Sequence, residues 1–344
     1  VGAVKEGVMD WSKGYSASCY VKTVDPDSWR DVDKLDIYSG SIKRSEGDLA
    51  EAASLDFTNY DQVAERWIRV WMDVRQGGDS GHVALFTGLA TSPSRDISGR
   101  MSTSSVDCYS VLKPAQDVLL PRGWYAPAGA EGAALVAMLL GVTPAPKVVE
   151  EASPALTAPY IAEEGESNLT MARKLLEAIN WRIRITGDGR IHIEPKASQA
   201  AVTFDNIEYD AIEPELTIGY DWYACPNVFR AVQGDTSAVA VDDDPDSIFS
   251  TVSRGREIWM EESDVNLTDA ESLQAYAIRR LKEEQNVVYS ANYDRRYHPD
   301  VNVGDLIRLQ YPEQNIVGLF RVTSQSIDLE SGGRTSEEAE RYEA

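Results

Sequence analysis

Residues 164–196 read EGESNLTMARKLLEAINWRIRITGDGRIHIEPK, and their pattern decides what the rest of the chain is arranged around. Ser167 suits a helix N-cap, and Leu169, Ala172, Leu175, Leu176 and Ile179 then fall on one helical face. Thr170 stands where a capping box needs Glu or Gln, so the box is incomplete. The spacing predicts a helix over 167–180. After Asn180 the period becomes two: Trp181, Ile183 and Ile185 face one way, Arg182, Arg184 and Thr186 the other. Gly187-Asp188-Gly189 makes the turn, and Ile191 and Ile193 return on the apolar side, giving a hairpin over 181–195. A three-residue loop sets Thr186 against Arg190 and Arg182 against Glu194. A two-residue loop would flip one strand to the wrong face. The module is structural, and nothing in it is set up for chemistry.

Both flanks read as β-rich. Before the module, alternation runs through Ser16–Val21 and Leu35–Ile42, and Ala50–Phe57 continues it. The segment RWIRVWMDV (Arg66–Val74) carries large apolar groups on both faces, with Trp67 and Trp71 flanking Arg69 opposite Ile68, Val70, Met72 and Val74. Such a strand is expected to be covered on both sides by another domain or another chain, so Trp67, Arg69 and Trp71 are candidate subunit-contact residues. Gln76–Gly81 is a glycine-rich hairpin loop, His82–Gly88 its returning strand, and Thr103–Leu112 a further strand. The Pro/Gly-rich 121–132 marks a junction, Ala133–Val142 a short buried helix, and Pro144–Pro159 an irregular stretch. After the module, strands are expected at 215–218, 227–234, 254–260, 287–293, 306–311 and 319–326. Among them a helix spans 269–286, with Thr268 and Glu271 as its capping box. The acidic tail from Thr335 is expected to fray or find a partner. The chain therefore divides into a β region at 1–122, an α/β insert at 123–200 and a second β region at 201–344.

A length of 344 residues permits such a division, and 43% hydrophobic content excludes wholesale disorder. No apolar run is long enough to span a bilayer as a helix, and the first residues, VGAVKEGVMDW, show no export signal. Cys19, Cys108 and Cys225 are odd in number and far apart, as free thiols in a reducing cytoplasm would be. A net charge of −23 argues against nucleic-acid binding, yet suits a surface past which DNA must slide without sticking.

The search for chemistry returns little. Gly78-Asp79-Ser80-Gly81 is similar to a serine-protease nucleophile loop, but the other segments of that family are absent. His82, His192 and His298 are isolated and form no zinc signature. Asp242–Asp246 is an acidic, proline-containing turn without the spacing of a calcium loop. No carboxylate pair is selected by spacing, and no glycine-rich phosphate loop appears. Catalytic residues, cofactors and metal ligands are expected to be none.

A collinear set of segments carries a resemblance. It comprises Ala84–Leu89, Cys108–Lys113, Leu119–Pro121, Tyr160–Gly165, Leu175–Ile179, Gly187–Gly189 through Pro195, Pro226–Val228, Asp244–Ser247, Arg254–Arg256 and Val303–Asp305. In order and spacing the set resembles the tail-tip or baseplate hub ("minor tail") proteins of long-tailed bacteriophages. That resemblance implies a β-dominated α+β homotrimer. Each subunit would supply two β-barrel-like tube domains around the insert, so that three subunits close a pseudo-sixfold ring. It implies a structural virion protein at the tail tip, made in the host cytoplasm, that joins the tail tube to the tip or fibre and takes part in DNA ejection and host entry. The implied partners are the distal tail protein, tip or fibre proteins, the tape measure protein, and genomic DNA passing without specific binding. Two other readings compete: a cell-wall or polysaccharide hydrolase, and a carbohydrate-binding tail module using Trp67 and Trp71 as stacking platforms.

Overall fold

The computed structural model describes residues 9–342 apart from 48, 59–63, 99–100, 150, 206–211, 221, 224, 266, 268, 287–288 and 331. Seven strands come first: β1 (Ser16–Asp25), β2 (Arg30–Leu35), β3 (Ile37–Ser45), β4 (Glu51–Thr58), β5 (Arg66–Gln76), β6 (Asp79–Ser98) and β7 (Met101–Ser110). The middle of the chain holds α1 (Lys113–Asp117), β8 (Tyr125–Ala126), α2 (Gly132–Leu139), β9 (Lys147–Val149), β10 (Tyr160–Ile161), α3 (Asn168–Ala178), β11 (Trp181–Ile185) and β12 (Ile191–Pro195). The last third adds β13 (Ala200–Asp205), β14 (Ile212–Tyr220), β15 (Val228–Gln233), β16 (Thr236–Val241), α4 (Thr251–Arg254), β17 (Trp259–Glu262), α5 (Ala270–Asn286), β18 (Tyr289–Arg295), β19 (Leu306–Tyr311), β20 (Ile316–Asp328) and β21 (Thr335–Tyr342). The protein is β-dominated. Among the described residues no sheet closes on itself as a barrel.

One large sheet runs in the order β14-β18-β21-β20-β3-β4-β7-β6-β5-β1-β2, with β19 on β20 and β13 on β19. Its two halves come from opposite ends of the chain and meet where β3 pairs antiparallel with β20, Ile42 facing Ile327. Alternation explains the strands. In β4 the residues Glu51, Ala53, Leu55 and Phe57 point inward, and β5 buries Ile68, Val70, Met72 and Val74. These join Val21, Ile42, Leu85 and Phe86 in one core. A second core gathers Phe204, Ile307, Leu309, Phe320 and Val322 under the far half of the sheet. A third lies between α5 and the three-stranded sheet β16-β15-β17, around Phe229, Leu273 and Ala277.

The insert has its own core. Leu169, Ala172, Leu175, Leu176 and Ile179 of the expected helical face pack with Trp181, Ile183, Ile185, Ile191 and Ile193 of the hairpin and with Ala133, Val136 and Leu139 of α2. Ser167 caps α3 by accepting from the Thr170 amide at 3.1 Å. Arg182 faces Glu194, and the Thr186 amide donates to the Arg190 carbonyl at 3.1 Å, which is the three-residue turn.

The fold sharpens several expectations, and of the strand expected at 254–260 only Trp259 and Met260 belong to one, because Arg254 ends α4 and Gly255 is its left-handed C-cap. Pro144–Pro159 is not wholly irregular: β9 adds in parallel to β12, because Val148 and Val149 can extend the hairpin sheet. Of the two outcomes expected for the segment from Thr335, fraying or finding a partner, the second holds. The segment is β21, an interior strand between β18 and β20, and it alternates so that Thr335, Glu337 and Ala339 are buried. Thr268, expected in the capping box, lies outside the described residues; at the start of α5 the Asp269 carboxylate accepts from the Ser272 amide at 2.7 Å. Gly77 and Gly78 alone make the β5–β6 turn, so Asp79, Ser80 and Gly81 belong to β6.

Candidate functional site: the clasp on β5 and a buried ionic seam

The strand β5 places its two faces in different surroundings. Arg69, only 6% exposed, sits between β6 and the tip of the insert hairpin. Its Nε donates to Thr87 Oγ1 at 3.0 Å, its Nη1 to Asp31 at 2.6 Å, and its Nη2 to the Asp188 carbonyl at 2.9 Å. Thr87 Oγ1 in turn donates to the Gly187 carbonyl at 2.7 Å, and Trp29 Nε1 to the Asp188 carbonyl at 3.0 Å. Three of these hydrogen bonds therefore grip one turn, the other two hold Arg69 in place, and Asp31 neutralises the guanidinium that the turn covers.

The glycines of that turn are there because of the approach. A Cβ on Gly187 would lie 1.8 Å from the Ala84 carbonyl oxygen. Gly189 takes φ +80°, and a Cβ on it would lie 2.7 Å from that of Thr87.

Trp67 packs its ring against Trp29, 5.5 Å between centroids, at the edge of the insert core. The second face of β5 is thus covered, at Trp67 and Arg69, by the chain's own insert. Trp71 stands apart from this clasp. A bulge separates it from Val70, its ring meets His82 edge-on at 5.3 Å, and Lys22 lies 5.8 Å from its centroid. Its indole N–H is buried and has no hydrogen-bond acceptor among the described residues.

A second polar assembly joins the two ends of the chain. On β3, Arg44 is 5% exposed. Its Nη1 donates to Asn302 at 3.2 Å and Gln325 at 3.3 Å, and its Nη2 to the Leu85 carbonyl. Its Nε lies 3.4 Å from the Glu51 carboxylate, and burial pushes the Glu51 carboxyl up to about 7, the Arg44 charge only partly opposing it. Gln325 reaches on to Glu337, whose carboxylate is gripped by Arg295 with neither side chain exposed. Sequence reading missed this seam. Its residues lie on β3, β4, β18, β20, β21 and the Asn302 loop, and only the β3–β20 pairing makes them neighbours.

The other candidates for chemistry stay apart. Ser80 faces Arg75 and His82 faces Asp73 across the β5–β6 hairpin, and among the described residues no hydrogen bond joins Ser80 to His82. His298 is buried, which pushes its imidazole below the usual range, and its Nδ1 accepts from the Asp300 amide. His192 lies opposite Arg184 in the insert sheet. The acidic turn uses its carboxylates on itself: Asp242 accepts from Ser247 and Gln285 and from the Asp244 amide, and Asp244 accepts from the Asp246 amide. Cys19, Cys108 and Cys225 are free thiols, and burial pushes Cys108 up to about 12. No helix among the described residues is long and apolar enough to cross a membrane.

No family model and no curated protein matches the sequence. Solved structures do. A tail protein from Neisseria meningitidis superposes with a TM-score of 0.71 at 15% identity, over 96% of this chain and 97% of that one. The fold is that of phage tail proteins. The 43 kDa tail protein of prophage MuSo2 from Shewanella oneidensis gives a TM-score of 0.68 at 13% identity, covering 95% of this chain and 98% of its own. An E. coli component of the type VI secretion system, described as structurally similar to the T4 phage tail proteins gp27 and gp5, gives 0.53 at 12% identity, over 90% of this chain and 74% of that one. The two tail proteins are thus matched along almost their whole length.

Proposed function

We propose that this chain is a structural subunit of a phage tail-tip or baseplate hub, assembled as a homotrimer at the distal end of the tail tube. In this reading residues 1–122 and 201–344 act as two barrel-like tube domains, and residues 123–200 form an insert clasped against the first. Three copies then present six similar β-rich walls around a pore. The observation that carries the reading is the end-to-end likeness to two tail proteins whose lengths this chain nearly fills. The single sheet that joins both chain ends at β3–β20 supports it, because it makes the two regions one rigid wall segment.

The partners would be the distal tail protein and tail tube on one side, tip or fibre proteins on the other, and the tape measure protein and genomic DNA within the bore. The protein would be made in the host cytoplasm and function in the virion, with no catalytic step of its own. Of the β5 residues, Trp71 is the one to place in a subunit contact. Its ring is only half buried, so part of its apolar surface is open to a neighbouring chain. Trp67 and Arg69 then hold the insert that frames the contact.

The test is the particle itself. Mass photometry and negative-stain imaging should show three times the 38.0 kDa subunit and a threefold ring with a hole wide enough for duplex DNA. Trp71→Ala should shift the population towards monomer while the melting temperature of the monomer holds. A monomer at micromolar concentration with a closed, pore-less outline would remove the reading.

A further inference from the structure

Residues 226–286 form a module of their own. The sheet β16-β15-β17 is separate from the large sheet, and α5 covers one of its faces. The core between them runs from Phe229 and Ala240 to Val265, Leu273 and Leu281, and all its buried members come from this stretch. The module is inserted between β14 and β18, which are antiparallel neighbours whose last pair is Tyr220 with Tyr289. It therefore hangs on two tethers that leave the large sheet side by side. The two tyrosine rings meet edge-on at that point, 4.9 Å between centroids. Arg254 donates to the Trp222 carbonyl at 2.5 Å and to the Cys225 carbonyl at 2.9 Å, and Gln285 Nε2 to the Pro226 carbonyl at 3.1 Å. Trp222, Cys225 and Pro226 are thus fastened to the module, which leaves the Tyr220–Tyr289 pair as its pivot.

Beyond the pivot, α5 faces the insert across a cleft of about 850 Å³ instead of packing on it. Close-packed interiors leave few voids larger than a water molecule, so a gap of this size separates two bodies. Ala275 and Ile278 of α5 stay exposed on the cleft side, Ile278 at 46%. Arg279 Nη1 crosses to Glu177 Oε1 of α3 at 2.9 Å, and Glu177 Oε2 also lies 3.3 Å from Lys196 Nζ. Both side chains of the Arg279–Glu177 pair are partly open to solvent, at 28% and 46%. An ion pair so placed biases an equilibrium by a factor of about five at most. Charge works against it. The module holds six basic and thirteen acidic residues in a chain with 33 and 56, so both bodies are anionic and repel each other. Relative motion is the default where the contact between two bodies is neither large nor apolar.

We infer that the module is a swinging element, which turns about the Tyr220–Tyr289 pair and is latched to the insert by Arg279 and Glu177. In the latched position α5 stands over α3 with the ion pair made. In the released position the cleft opens outward and the module hangs on its two tethers. Its core is the same in both positions, because no member of that core lies across the gap. A weak latch opposed by like charge keeps the two positions close in free energy. The large sheet and the hairpin tip clasped at Arg69 take no part in the motion. The inference goes beyond the ring assembly and concerns movement within one chain, so either can fail alone.

The experiment is a distance measurement by pulsed electron spin resonance on the full chain. Spin labels go on Glu271→Cys at the far end of α5 and on Ser198→Cys after the insert hairpin, both exposed positions. Cys19→Ser removes the half-buried native thiol, and Cys108 and Cys225 are buried. Two distance populations are expected. Glu177→Gln and Arg279→Gln should each raise the longer over the shorter by roughly two- to fivefold. The melting temperature should hold in both variants, since neither side chain belongs to a core. A single distance that neither variant changes overturns the inference. Two populations whose ratio neither variant moves overturn it as well, because the ion pair would then be no latch.

Discussion

Two residues show how close approach and burial fix behaviour at the smallest scale. Gly187 is held by the space it lacks, because any β-carbon there collides with the Ala84 carbonyl, a backbone atom that cannot step aside. Gly187→Ala is therefore expected to lift the hairpin tip off β6, losing the Arg69 and Thr87 bonds to the turn. The loss should be roughly 2–4 kcal/mol by urea titration, since it leaves a buried guanidinium N–H and the Thr87 hydroxyl without their acceptors while Asp31 still neutralises Arg69. Gly123, beyond which a β-carbon meets nothing within 4 Å, is the control for glycine removal as such, although its φ of +78° carries some strain of its own. Glu51 supplies the pH dependence. Its folded-state carboxyl is pushed up to about 7 by burial, so between the unfolded value and 7 the native state binds more protons than the unfolded chain. Stability from this group is full below the usual carboxylate range and falls as pH rises through 7, by at most about 3 kcal/mol. Chemical denaturation between pH 5 and 8 should show that decline, and Glu51→Gln should flatten it.

At the scale of elements, local pattern and long-range pairing were readable to very different degrees. The helix and hairpin of 167–195 were legible because cap, period and turn agree within one short stretch, and each shows again in the fold. The same agreement predicts how α3 responds to change. Leu175 is fully buried in the insert core, so Leu175→Ala should cost about 2–5 kcal/mol, while Ser167→Ala, which removes only the cap, should cost about 1 kcal/mol. Denaturant melts followed by Trp181 fluorescence, the indole being packed in that core, would order the two. A reversed order would mean that the cap, not the packed face, holds the helix. By contrast β21 was hidden by its own composition. TSEEAERY reads as a solvated acidic tail until Arg295 is found opposite, neutralising Glu337 in the interior. The Arg44 seam was hidden for a related reason. No window of sequence contains it, and it arises from several strands brought together by the β3–β20 register. The three β5 residues were legible as a two-faced strand, but the sequence could not say that the insert would cover Trp67 and Arg69 while leaving Trp71 half exposed.

For the whole molecule the deciding quantity is charge. The chain carries −23, from 33 basic and 56 acidic residues. A protein that bound duplex DNA would need a continuous basic stripe, and would lose affinity steeply with added salt as counterions are released. This chain should do neither. In a mobility-shift or anisotropy titration with a short duplex, it is expected to show no binding at 50 mM salt, where electrostatic attraction is strongest. If a ring forms, the same result should hold for the ring, because each added subunit adds acidic charge. A wall that repels phosphates lets DNA pass through a bore without being caught on it, which is the behaviour a tail conduit requires. Retention of duplex DNA by the assembled ring at low salt, released as salt rises, would mean that basic groups line the bore, and the conduit reading would then have to give way to one in which the ring grips the genome.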